Sequence, residues 1–251
     1  MTVTEFYNFL NEKIPPSLSL PGDCDGLCCC PDPDREVTDV LIALDATDDV
    51  VNEAIEDGAQ VILTHHPMIF GKISGVTAGE YRSDKLIKLI KNGIAVMGFH
   101  TRLDAADGGV NDMLASLLGL KNVQKFGECD IGRIGELDTP ITADELAVFI
   151  RDTLGAPKVE FSDCGKLIKK VAVVGGSGSD EICAAMAAGA DAFVSGEIKY
   201  HALTDSPDYG MSFFAAGHFY TENPVCARLF ELAAEADVIP TITFSNRIKT
   251  V

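Results

Sequence analysis

The sequence predicts an α/β protein made of two related βαβ-containing lobes, assigned here to residues 1–126 and 127–251. Three observations predict it. Short apolar runs alternate with stretches of helical periodicity along the chain. The segment Val40–His66 recurs in shape at Val171–Glu197. Each copy is followed by a further apolar run that ends in a histidine. Strands that alternate with helices in this way build largely parallel sheets.

The first unit, VLIALDATDDVVNEAIEDGAQVILTHH, reads as strand, turn, helix and strand. Its opening apolar run suits a strand buried on both faces. Asp48 and Asp49 offer N-cap chemistry, Val50, Val51, Ala54 and Ile55 share one helical face, and Gly58 closes the helix. The second unit, VAVVGGSGSDEICAAMAAGADAFVSGE, follows at a constant offset of 131 positions. Two such units without a gap between equivalent residues suggest an internal duplication. The match continues at an offset of 118: IAVMGFHTRLD ends in His100-x-x-x-Asp104, and MSFFAAGHFYTE ends in His218-x-x-x-Glu222.

Between the halves, Thr142-Ala-Asp-Glu145 is a capping box that opens a helix, with strand candidates at Ile131–Leu137 and Lys158–Phe161. A final helix is expected over Pro224–Ala236, with Asn223 as its N-cap. The run IPTITFS should then form the last strand.

Composition excludes several classes. The chain has 251 residues, 47% hydrophobic and 23% charged, in the range of ordinary globular proteins. It contains no apolar run of bilayer length. The first residues, MTVTEFYNFLNEKIPP, are acidic and amphipathic, unlike a signal peptide, and point to the cytoplasm. A net charge of −18 argues against nucleic acid, whose binding depends on neutralising phosphates with Lys and Arg. The eight cysteines lack paired CxxC spacing, and three are consecutive. Free thiols in a reducing compartment are expected, with Cys28, Cys29 and Cys30 as small hydrophobes in a strand rather than zinc ligands.

Ligands of open α/β sheets bind beyond the carboxyl ends of the strands. Three strand ends here carry His65 with His66, His100 with Asp104, and His218 with Glu222, so four of the five histidines fall at such positions. Pro67 breaks the strand after the histidine pair, which lets the two imidazoles splay. Each could take a different metal ion, with Asp104 or Glu222 between the ions. Imidazole plus carboxylate suits zinc, iron, manganese or nickel, and a pair of ions roughly 3.5–4 Å apart is the usual two-metal hydrolytic arrangement. The plainer alternatives are hydrogen-bonded or surface histidines and cap carboxylates. By the repeat, Gly196 and Glu197 occupy the places of His65 and His66. Glu197 and His201 are therefore candidates for supporting or proton-transfer roles. The GGSGSD turn lacks the full pattern of a dinucleotide or phosphate loop and reads as a tight structural turn.

At LTHHP (63–67), GFHTRLDAADGGVND (98–112), SGEIKYHA (195–202) and AAGHFYTE (215–222), the chain resembles the NGG-one-interacting-factor-three-like family, labelled GTP cyclohydrolase 1 type 2 homologs. The resemblance spans the chain and matches the short form, without a large central insertion. It implies two lobes forming a metal cleft that holds two divalent ions. His65, His66, Asp104, His218 and Glu222 match the family's metal ligands, and His100 and His201 its additional polar residues. It also implies a homohexamer, a trimer of dimers. A metal-dependent hydrolase of a small molecule is the first functional expectation. A non-enzymatic metal-binding or adaptor protein is the second. One departure is the N-terminal loop, GDCDGLCCCPD, where relatives carry a tryptophan-containing sequence; this chain has no tryptophan.

Overall fold

The computed structural model describes residues 1–251. The chain opens with α1 (Val3–Lys13), whose Thr2 and Glu5 form a reciprocal capping box. It continues through β1 (Gly26–Cys29), β2 (Asp39–Ala43), α2 (Asp48–Asp57), β3 (Val61–Thr64), α3 (Tyr81–Asn92), β4 (Ala95–Gly98) and α4 (Thr101–Ala105). Then come α5 (Val110–Leu117), β5 (Lys121–Phe126), β6 (Gly132–Ile141), α6 (Ala143–Leu154), β7 (Glu160–Ser162), β8 (Ile168–Val174), α7 (Ile182–Ala187), β9 (Ala192–Ser195), α8 (Tyr200–Tyr209), β10 (Ser212–Ala215) and α9 (His218–Glu222). The last elements are α10 (Val225–Ala234) and β11 (Ile239–Ile242). No helix is long and apolar enough to cross a membrane.

Two units result, one from Met1–Leu103 with Val225–Lys249 and the other from Asp104–Pro224. They part inside α4, whereas the sequence reading placed the lobe boundary at 126/127. The reason is that β5 pairs with β6 and Leu114 and Leu118 pack with Leu146 and Val171, which puts residues 104–126 with the second sheet; β11 in turn pairs in parallel with β2 and draws the last helix and strand back into the first unit's sheet.

The first unit's sheet runs β1-β4-β3-β2-β11, parallel except for β1. Leu41, Ile62 and Val96 pack with Val50, Val51 and Ala54 of α2 and Leu89 of α3. Thr47, not Asp48, is the N-cap of α2, and its hydroxyl accepts from Val50 N at 3.3 Å. Asp48 and Asp49 fall in the first turn, where carboxylates complement the helix dipole. Gly58 ends α2 in the left-handed conformation, as predicted.

The second unit's sheet runs β5-β6-β8-β9-β10-β7, with β8, β9 and β10 parallel. Alternate residues of β8 serve two core layers: Val171 and Val173 pack with Leu146 and Ile150 of α6, and Ala172 and Val174 pack with Phe193 and Ile182. Strand β5 (KNVQKF) was not foreseen, because its residues are exposed except Phe126 and carry no apolar alternation.

The duplication is visible in the strand register. Val40 pairs with Val61, and Val171 with Ala192, each 131 positions on. The third strand departs by one residue: Ala95 is equivalent to Ser212, 117 positions on, whereas the histidines are 118 apart. The extra residue falls between β10 and His218, where Gly217 takes φ +90°. Asn223 is not an N-cap but the helical C-cap of α9 (φ −54°, ψ −30°).

Candidate metal centre

Both His-x-x-x-acid motifs lie on a helical turn rather than on an extended strand end. His100 precedes α4, and His218 opens α9. Residues four apart on a helix share a face. His218 Nε2 accordingly lies 2.9 Å from Glu222 Oε2.

In the first unit, three imidazoles cluster. Ring centroids are 4.9 Å apart for His65 and His66, 5.4 Å for His65 and His100, and 5.8 Å for His66 and His100. One ligating nitrogen from each lies within 4.8 Å of the others. Backbone geometry explains the approach. Thr64 Oγ1 donates to His66 O at 2.7 Å, and His66 N donates to Leu44 O at 3.0 Å. Gly98 leaves room for the turn after the pair, since a Cβ there would stand 2.8 Å from Pro67 Cα.

Each of these imidazoles has an oxygen at Nδ1. For His65, which is wholly buried, it is Phe99 O at 2.9 Å. For His66 it is Asp45 Oδ1 at 2.8 Å. For His100 it is the Asp23 carboxylate at 2.9 and 3.0 Å. Burial opposes the charge of Asp23, but hydrogen bonds from His100 and Thr101, together with the charge of His100, outweigh it and hold the carboxyl well below the usual range.

The second unit carries its histidine in the same manner. His218 Nδ1 lies 3.0 Å from Glu197 Oε1. Glu222 is buried, and glycines make space for it and for His218: a Cβ on Gly176 (φ +61°) would collide with Glu222 Oε1, and one on Gly196 would meet His218 Cα at 2.7 Å. The GGSGSD turn is thus the floor under α9. Asp104 is also buried. Beside it, wholly buried Asn111 donates to Ile131 O at 2.8 Å and accepts from Gly175 N at 2.7 Å. His201 stands exposed on α8, outside these clusters.

The pattern at Nδ1 fits a metal. An acceptor at Nδ1 favours the tautomer with the proton there and the lone pair on Nε2, the manner in which metal-ligating histidines are held; His218 faces a carboxylate at both nitrogens, Glu197 at Nδ1 and Glu222 at Nε2. The cysteines do not fit as ligands. Burial pushes Cys29 up to about 11 and Cys28 and Cys30 upward, which disfavours the thiolate. Cys28 and Cys29 lie in β1 as predicted, and all eight cysteines are unbridged.

Sequence reading missed Asp23 and Asp45. Asp45 follows the first strand of its βαβ unit at the position equivalent to Gly176, which was the available signal. Asp23 comes from the N-terminal loop, 77 positions from His100, and only folding brings the two together.

Fold and site together define an α/β protein with a candidate divalent-metal site of histidines and carboxylates. The chain belongs to the Duf34/NIF3 (NGG1p interacting factor 3) family, whose model matches residues 1–250. A Clostridium perfringens relative named "GTP cyclohydrolase 1 type 2 homolog" is 36% identical over 242 residues, covering 94% of this chain and 92% of the relative. A Streptococcus pneumoniae relative of the same name is 36% identical over 228 residues, 87% and 85% of the two chains. Among solved structures, Staphylococcus aureus protein SA1388 superposes with TM-score 0.88 at 28% identity, covering 100% of this chain and 99% of that one. Reduced HcgD from Methanocaldococcus jannaschii superposes with TM-score 0.84 at 26% identity over 96% and 97%.

Proposed function

We propose that the protein is a dinuclear metal-dependent hydrolase of a small molecule. His65, His66, Asp104, His218 and Glu222 are the proposed ligands, three imidazoles and two carboxylates suited to zinc, iron, manganese or nickel. The observation that carries the reading is the oxygen acceptor at Nδ1 of His65, His66 and His218. When bound, such ions lower the pKa of a coordinated water and polarise the electrophile. The chain's own residues orient and move protons. Asp45 and Glu197 fix the imidazoles of His66 and His218. His100, with Asp23 behind its Nδ1, accepts or returns a proton at Nε2. This geometry favours His100 over the exposed His201 as the proton carrier.

Elemental mass spectrometry of the purified protein should give about two ions per chain. No metal after reconstitution with zinc, manganese and iron would end the hydrolase reading. The relatives' name makes GTP the first compound to assay, and absence of formate release with every metal would remove it. Metal without any hydrolysis across metabolite classes would favour a metal-binding or adaptor role.

The family resemblance extends the proposal to a homohexamer, a trimer of dimers. Light scattering should then report six times the 26.8 kDa chain mass, and a single chain mass would refute it. A cytoplasmic location is proposed on the eight unbridged thiols. Fractionation that finds the protein in an oxidising compartment would overturn it.

A further inference from the structure

A cavity of about 210 Å³ opens beside His66 in the first unit, lined among others by Asp45, Thr47, Tyr81, Arg82 and Lys85. It is smaller than the ~300–1,000 Å³ of pockets that enclose a whole ligand. Its size suits one group of a substrate rather than the entire molecule.

Lys85 is the unusual member. It is only 6% exposed, its ammonium donates to Ala46 O at 3.0 Å, and it lies 4.8 Å from the centroid of the Tyr81 ring. Its partners are thus a neutral carbonyl and an aromatic face, with no ion pair. A buried ammonium is costly without a counter-charge. Acid is abundant here, with 38 Asp and Glu against 20 Lys and Arg. Yet the carboxylate that lines this cavity, Asp45, faces His66 Nδ1. Lys88, one turn along α3, lies 3.8 Å from Asp48 on the surface. Arg82 adds an exposed guanidinium to the cavity lining. The adjoining helix N-termini are already capped, α2 by Thr47 and α3 by the Glu80 carboxylate.

We infer that this cavity is a phosphate subsite: Lys85 and Arg82 hold the phosphate of a phosphorylated small molecule or nucleotide, directing the rest of it toward His66. Lysine supplies the buried point charge and arginine the planar fork, the pair of groups that recognises phosphate oxygens. The inference rests on the hydrolase reading and gives that reading a substrate class.

The test is calorimetric titration of the metal-loaded protein with inorganic phosphate. Wild type, Lys85→Met, Arg82→Ala and His66→Ala are compared, and metal content is measured in each. Wild type should bind phosphate, and Lys85→Met should weaken it about tenfold or more, as loss of a charge-assisted hydrogen bond does. Arg82→Ala should weaken it by a smaller factor, and both variants should keep wild-type metal content. No binding to wild type, or undiminished binding to folded Lys85→Met, overturns the subsite. Binding that disappears in His66→Ala but persists in Lys85→Met does so too, because the ion would then sit on metal. If Lys85→Met does not fold, unchanged affinity in exposed Arg82→Ala is the overturning result. A protein without metal that still binds phosphate through Lys85 would end the hydrolase reading and leave the subsite standing.

Discussion

Replacing His66 or Glu222 by alanine is expected to take bound metal from about two ions per chain to one or none, with circular dichroism unchanged. The backbone around His66 is held independently of the imidazole, by the bond from His66 N to Leu44 O and by the parallel pairing of β3 with β2 and β4. What disappears is the nitrogen that Asp45 orients. Glu222 is buried on α9 beside His218, and a methyl in its place removes a charge without breaking a turn. Asp45→Ala should have the smaller effect of removing an outer partner, about 10–100-fold in metal affinity. The predicted order is therefore ligand loss above partner loss, read by elemental mass spectrometry after dialysis against a weak chelator. Full occupancy in both ligand variants would sink the assignment.

Asp25→Ala should be the most destabilising single change in the N-terminal loop, by about 3–5 kcal/mol, because it strands a buried arginine. Arg102 is 1% exposed, and its Nε donates to Asp25 Oδ1 at 2.9 Å. Its Nη1 donates to Asn11 Oδ1 at 2.6 Å and to Ile14 O at 3.0 Å, and its guanidinium lies 4.1 Å from the centroid of the Phe99 ring. None of these remaining partners carries a negative charge. The double variant Asp25→Ala with Arg102→Met should recover much of the loss, since apolar residues of similar volume can replace a buried ion pair. Urea denaturation followed by circular dichroism checks both. A loss below about 1 kcal/mol in Asp25→Ala would mean that water reaches Arg102 and that the pair behaves as an exposed one.

This pair also gives the N-terminal loop a role. In GDCDGL, Asp23 accepts from Thr101 N at 3.1 Å and faces His100, while Asp25 holds Arg102. Two carboxylates of one loop thus grip His100 and the first two residues of α4, Thr101 and Arg102.

Much of this was legible in the chain alone. Continuous apolar runs required strands buried on both faces, and glycines and threonines marked helix ends, as Gly58 and the Thr142–Glu145 capping box do. Local chemistry repeats wherever its residues repeat, so the duplication and the candidate ligands at equivalent positions could be read from spacing. Tertiary structure decided the rest, because partners distant in sequence leave no periodic trace. The return of β11 to β2, the carboxylates behind His66 and His100, and the unpaired charge of Lys85 all depend on which segments fold together. Sequence set which groups carry the chemistry; packing set which oxygen each imidazole faces.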